Sequence, residues 1–261
     1  MLKLFGPGSQ DIVESGDADE DRRMREEFTT RARAGMRVET EPGNANRATL
    51  VVGDNNWPFP IPLVRRDGRW HFDGAQGRME VLARRIGRHE LAAIDVCRGY
   101  VEAQMEYAVH DRDANGVLEY AQKIISTPGE HDGLYWAGNT EGDESPIGEI
   151  VAKAIAEGYT NKHDPYHGYY FRVLTAQGPN APGGAMSYLD NGLMTKGFAL
   201  LAWPSNYGST GIMTFVVDRT GIVYQKDLGR KTSEIAAGYT TYDPDKTWTP
   251  VSDTKIQSAL R

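Results

Sequence analysis

Apolar residues recur at two different periods along this chain, and the periods divide it into elements. Between residues 74 and 110, in GAQGRMEVLARRIGRHELAAIDVCRGYVEAQMEYAVH, the spacing is helical. Leu91, Ile94, Cys97, Val101, Met105 and Ala108 follow at three- or four-residue steps, one continuous stripe expected to be buried. The stretch reads as one long helix or as two abutting helices broken near Gly87. Before it, a helix fits residues 21–34 and is stopped by Gly35. Residues 36–40 and 47–52 read as strands. Residues 59–66 and Arg69–Phe72 flank Asp67-Gly68, a strong hairpin signal. Trp57, Phe59, Ile61 and Leu63 share one parity, while Pro58, Pro60 and Pro62 take the other. Proline donates no ladder hydrogen bond, so this is predicted to be an edge or bulged strand.

After the long helix the period changes. Residues 111–136 are expected to be a loop with helical turns, and Pro146 opens a short helix over 147–158, with Gly158 after its last turn. From Tyr166 to Gly229 short apolar runs are stopped by Gly and Pro. Tyr169, Phe171 and Val173 alternate there with Tyr170, Arg172 and Leu174. Val216 and Ile222 flank Asp218-Arg219-Thr220-Gly221, a turn that supports a hairpin. A short helix over 232–237 and an irregular tail with Pro244 and Pro250 complete the pattern. The result is an α+β chain in two halves, 1–87 and 88–261, with the second a helix packed on an antiparallel meander.

Size and charge narrow the classes. A chain of 261 residues buries roughly 70–75% of its unfolded surface, so it needs no metal or disulfide to fold. The formal net charge of -7 disfavours nucleic acid and anionic membrane surfaces as partners. No apolar run is long enough to span a bilayer, and the opening MLKLFGPGSQD is too short for a signal peptide. Cys97 is the lone cysteine and sits in the helical stripe, where a buried, inert thiol is expected.

The candidate chemistry is concentrated in two places. Asp111, Asp113, Asn115 and Gly116 form D-x-D-x-N-G, the opening of a calcium loop, with the Val117 carbonyl and Glu119 at later ligand positions. The twelfth position is Gln122, so the usual bidentate Glu is missing. The same residues also suit a solvated turn whose Asp and Asn side chains cap the backbone; both readings stand. Tyr166, His167, Tyr169 and Tyr170 form an aromatic cluster able to line a sugar or peptide site, or simply to fill a strand. A hydrolase on this scaffold would use His167 as its base. His71, His89, His110, His131, His163 and His167 show no zinc-site spacing, and no nucleophile elbow, phosphate loop or dinucleotide fingerprint occurs.

Several blocks carry a family resemblance: NNWPFPIPLVRRDGRWHFD, RRIGRHELAAIDVC, the 111–136 segment, PYHGYYFRVLTAQGPNAPGGA and GIMTFVVDRTGIVYQKDLG. Over residues 4–251 the chain resembles the bacterial family of unknown function DUF 2950. Members of that family usually begin with an export signal and a further helix, and this chain starts within that pattern. The resemblance therefore implies a periplasmic or secreted protein. The first half is similar to the cystatin-like cone of nuclear-transport-factor-2-like proteins, and such cones commonly hold a small ligand. The second half resembles the globular head of type IV pilin-like proteins, although no prepilin leader or apolar N-terminal spine is present for packing into a pilus. With no catalytic motif in the residues and export implied by the resemblance, the expectation is a non-enzymatic cell-envelope protein that acts by binding or assembly on a protein partner of the envelope, with calcium stiffening the acidic loop. The hydrolase and the ligand-binding cone stand as alternatives.

Overall fold

Helices and antiparallel sheets share the chain, as the two periods predict for an α+β protein. The computed structural model describes residues 2–5, 9–15, 18–138, 144–148, 152 and 165–252. The chain separates into two compact units, Met1–Ile86 and Gly87–Arg261. The helix expected over 147–158 and His163 lie largely outside the described residues.

The first unit opens with α1 (Leu2–Phe5), α2 (Gln10–Val13) and α3 (Ala18–Ala34). Its sheet contains β1 (Met36–Glu41), β2 (Asn44–Val52), β3 (Trp57–Pro58), β4 (Leu63–Arg66) and β5 (Arg69–Phe72). The order is β1-β2-β4-β5, with β3 also paired to β2. Asp67 (φ 51°) and Gly68 (φ 76°) turn β4 into β5 through the left-handed region, as a two-residue hairpin requires. The strand expected over 59–66 starts only at Leu63. Trp57 and Pro58 pair with β2, and Phe59 donates to the Leu50 carbonyl, before the chain leaves the ladder. Pro60 and Pro62 supply no donors there, which explains the delay. Ala48, Val51, Val52 and Ile61 are buried. Phe5, Phe28, Trp57, Phe59 and Phe72 pack ring against ring with centroids 5.4–6.2 Å apart. Gly77 lets its helix approach: a Cβ there would lie 2.7 Å from the Ile61 Cα.

That helix, α4 (Gly74–Tyr107), runs for 34 residues without interruption at Gly87, so the alternative of two abutting helices does not hold. One interior glycine costs about 1 kcal/mol, too little to end so long a helix. Past Gly87, its buried line is Ala93, Cys97, Tyr100, Gln104 and Tyr107, with Ile94, Val96 and Ala103 beside it. The expected stripe is thus displaced by a fraction of a turn. Ile94 and Cys97 are buried, Leu91, Val101 and Ala108 are half-buried, and Met105 is 41% exposed. The buried face is centred instead on polar-tipped residues whose hydrogen bonds are met. Gln104 donates to the Tyr100 hydroxyl and the Ala121 carbonyl, and its own carbonyl accepts from the Ala121 N–H.

The rest of the second unit begins with β6 (Lys123–Ile125) and β7 (Gly133–Tyr135), a parallel pair where helical turns were expected. The main sheet is built from β8 (Tyr169–Leu174), β13 (Ala199–Pro204), β14 (Met213–Asp218), β15 (Tyr224–Asp227) and β16 (Thr249–Pro250). All are antiparallel, in the order β16-β15-β14-β13-β8. Between β8 and β13 the chain forms two small ladders, β9 (Ala176–Gln177) with β10 (Met186–Ser187) and β11 (Leu189–Asp190) with β12 (Leu193–Met194). β13 is buried along its whole length. Tyr169, Phe171, Ala202 and Phe215 share one sheet face, where Tyr169 lies near Cys97 of α4. On the opposite face Arg172 stacks 5.1 Å over Trp203. Its guanidinium also donates to the carbonyls of Ala236, Ala237 and Tyr239, at the end of α5 (Thr232–Ala237). A cation at a helix C-terminus is favourably placed.

Candidate functional site

The acidic loop follows directly from the end of α4 and folds on itself through its own side chains. Asp111 accepts from the backbone N–H of Asn115 at 3.1 Å and of Gly116 at 2.8 Å. The Asn115 side-chain oxygen accepts from the Val117 N–H at 2.7 Å. The Asn115 amide nitrogen sits between two carboxylates, donating to Asp113 Oδ2 at 2.8 Å and Glu119 Oε1 at 3.0 Å. Gly116 (φ 84°) takes the left-handed bend that this tight turn needs. The Gly116 N–H, joined by that of Asn115, holds the Asp111 carboxyl below the usual carboxylate range. Asp111, Asp113, Asn115 and Glu119 are therefore brought together, while Val117 enters through its N–H. Gln122 turns elsewhere and donates to the Gly192 carbonyl at 2.7 Å. Beneath the loop Arg112 stacks on Trp136 (5.4 Å) and Tyr107 (6.0 Å). Among the described residues no three His, Cys, Asp or Glu side chains form a metal-ligating group.

The aromatic cluster is divided by strand geometry. Tyr166 and Tyr169 exchange backbone hydrogen bonds around His167 (φ 45°) and Gly168 (φ 72°), a two-residue turn. The His167 ring meets Tyr166 at 4.3 Å. Tyr169 is fully buried, its hydroxyl donating to the Met213 carbonyl at 2.8 Å. Burial, with Glu90 nearby, pushes its phenol well above the ordinary range. Tyr170 is half-buried and packs on Trp203 at 5.8 Å. Successive strand residues point to opposite faces, so Tyr169 and Tyr170 cannot line one site with His167.

The sequence does not announce a second polar cluster. Buried His89 donates from Nδ1 to the Thr210 carbonyl at 2.9 Å. Its neighbour Glu90 accepts from the N–H groups of Ile212 and Met213 at 2.9 and 3.0 Å. Gly168 closes over them: a Cβ there would lie 2.5 Å from His89 Nδ1 and 2.7 Å from Thr210 Cβ. These groups bind backbone and pin α4 to the loop before β14. In the first unit, Arg22, Arg25, Glu26, Thr29, Thr30 and Arg33 line a shallow, open groove along α3.

No helix among the described residues is long and apolar enough to cross a membrane. Comparison with curated proteins and with solved structures finds no match. The family described as "Protein of unknown function (DUF2950)" matches residues 1–251. That match covers nearly the whole chain, and the protein belongs to this family.

Proposed function

We propose that this protein is an exported, non-enzymatic component of the cell envelope that acts by binding or assembly, with calcium held in the loop after α4. The observation that carries the reading is the position of the Asn115 amide, held between the carboxylates of Asp113 and Glu119. A positively polarised N–H group there does the work of a cation. Turning the amide over, with release of the Val117 N–H that Asn115 Oδ1 now accepts, would present that oxygen beside the same carboxylates, an all-oxygen set suited to a hard cation. Asp111 is already shaped by backbone donors, which hold its carboxyl below the usual carboxylate range. With Gln122 turned to Gly192, affinity is expected to be weak, on the order of 10⁻⁴–10⁻³ M. Export, implied by the family resemblance, would place the loop where such affinity suffices.

The non-enzymatic part draws support from the use of Tyr169 and His89 as framework, each bonded to a main-chain carbonyl. Helix-then-meander order likewise supports a pilin-head-like second unit, and α3 packing Phe28 onto Phe59 supports a cystatin-like first unit. The test is thermal unfolding and titration calorimetry with millimolar calcium or excess chelator, for the parent and Asp113→Ala. Calcium at tenfold the dissociation constant stabilises by about 1.4 kcal/mol, and the variant should gain nothing. Superimposable parent curves with no heat of binding would remove calcium from the reading. Hydrolytic turnover abolished by His167→Ala would overturn the non-enzymatic part.

A further inference from the structure

β1 is one edge of the first unit's sheet, and each of its residues is exposed. The direction of its backbone groups follows from the ladder. Gly53 donates to the Gly35 carbonyl at 2.8 Å, and the same register pairs Met36 with Val52, Arg37 with Val51 and Val38 with Leu50. Bonded and non-bonded pairs alternate in an antiparallel ladder. Gly35, Arg37 and Glu39 therefore bond to β2, whereas Met36, Val38 and Thr40 aim N–H and C=O at the open edge. The bond from Phe59 to Leu50, on the other side of β2, has the same phase. Among the described residues no strand pairs with that edge.

The side chains are arranged to match. Met36 and Val38 stand opposite Val52 and Leu50, on the sheet face that carries buried Val52 and Ala48, yet they are 60% and 56% exposed. Arg37 and Glu39 occupy the other face and form an ion pair at 2.7 Å. We infer that two copies of this chain associate through β1, as antiparallel strands related by a two-fold axis at Val38. The inference rests on the assembly reading above and names its partner. With that axis, Met36 pairs with Thr40 of the partner subunit and Val38 with its counterpart, giving about six interchain hydrogen bonds. Each Arg37 then faces Glu39 of the partner subunit in the close, non-bonded positions, beside the Glu39 it already holds. An axis at Arg37 would oppose two arginines, and an axis at Glu39 two glutamates. The charges that shield this edge from promiscuous pairing are thus self-complementary in one register only. The apolar stripes of the two copies join on the core face, in a sheet that continues through both.

The experiment is sedimentation equilibrium of the full chain over a range of concentrations. A reversible dimer is expected. Arg37→Glu alone and Glu39→Arg alone each turn two attractive cross-strand pairs into repulsive ones and should raise the dissociation constant at least about tenfold. A one-to-one mixture of these two variants should dimerise again, because every arginine once more faces a glutamate. Val38→Pro removes an N–H that β2 does not use. It should abolish the dimer with little change in Tm. A chain that stays monomeric at about 0.5 mM, far above a micromolar dissociation constant, overturns the inference. So does a dimer indifferent to the charge variants, or a mixture that does not recover. Calcium-dependent stabilisation is measured separately on the same samples, so failure of the dimer leaves that reading standing, and the converse.

Discussion

Gly168 shows how much can rest on one missing methyl group. It carries φ 72° in the turn before β8, and the space above it is taken by His89 and Thr210. Gly168→Ala should therefore cost about 2–4 kcal/mol, from a left-handed alanine plus a clash with a buried ring. Urea unfolding measures it; a loss below about 0.5 kcal/mol would mean that the His89–Thr210 clamp yields easily. None of this is legible in the sequence. His167-Gly168 lacks the Asn or Asp of the usual hairpin dipeptides, and the residue that fills Gly168's space is on a distant helix. The acidic loop is the opposite case. Asp111, Asp113, Asn115 and Gly116 could be read together because their geometry is local, a turn closed by its own side chains. Whether that turn holds an ion depends on the Asn115 amide, whose orientation no residue pattern encodes.

At the scale of elements, local signals served well and long-range ones did not. The Asp67-Gly68 hairpin and the alternation of β8 follow from turn chemistry and pleat. The parallel β6–β7 pair does not, because its partners come from separate segments and neither three-residue strand is long enough to show a period. Asn191-Gly192, which turns β11 into β12 with both residues at positive φ, is a hairpin dipeptide legible in the sequence. On α4 the apolar stripe lies slightly off the buried face, because Tyr100, Gln104 and Tyr107 fall outside it. The displacement makes an ordered prediction. Tyr100→Ala should cost about 3–5 kcal/mol, since a fully buried ring packed 5.6 Å from Phe198 leaves a cavity. Met105→Ala, at an exposed position, should cost less than about 1 kcal/mol. Equal losses in denaturant unfolding would put the face back where the apolar stripe alone suggests.

For the molecule as a whole, the chemistry of its core fixes a weakness in alkali. Burial pushes the Cys97 thiol from 9.0 up to about 12, and Arg98 offsets this only in part. Burial likewise raises the phenols of Tyr107, Tyr169, Tyr188 and Tyr242 above their ordinary 10.0, with nearby carboxylates adding to the shift. These groups are neutral acids in the folded state, and their raised values mean that folding favours the protonated form. Their contribution is therefore fully present below the unfolded values, about 9 for the thiol and 10 for the phenols, and is lost as pH rises through the folded ones. In that window the unfolded chain sheds protons that the folded chain retains, so each such group lowers stability by up to about 1.4 kcal/mol per pH unit. The urea midpoint should be flat from pH 7 to about 8.5 and then fall ever more steeply. Cys97→Ala, corrected for its own packing loss at pH 7, should flatten the stretch between about pH 9 and 10 and leave the steeper fall above it. Part of the tyrosinate absorbance should appear only as near-ultraviolet circular dichroism is lost, because the four buried phenols ionise by unfolding. Complete tyrosine ionisation with the native spectrum intact would show that water reaches these rings in the folded state, and that the core of the second unit is far looser than its burial implies.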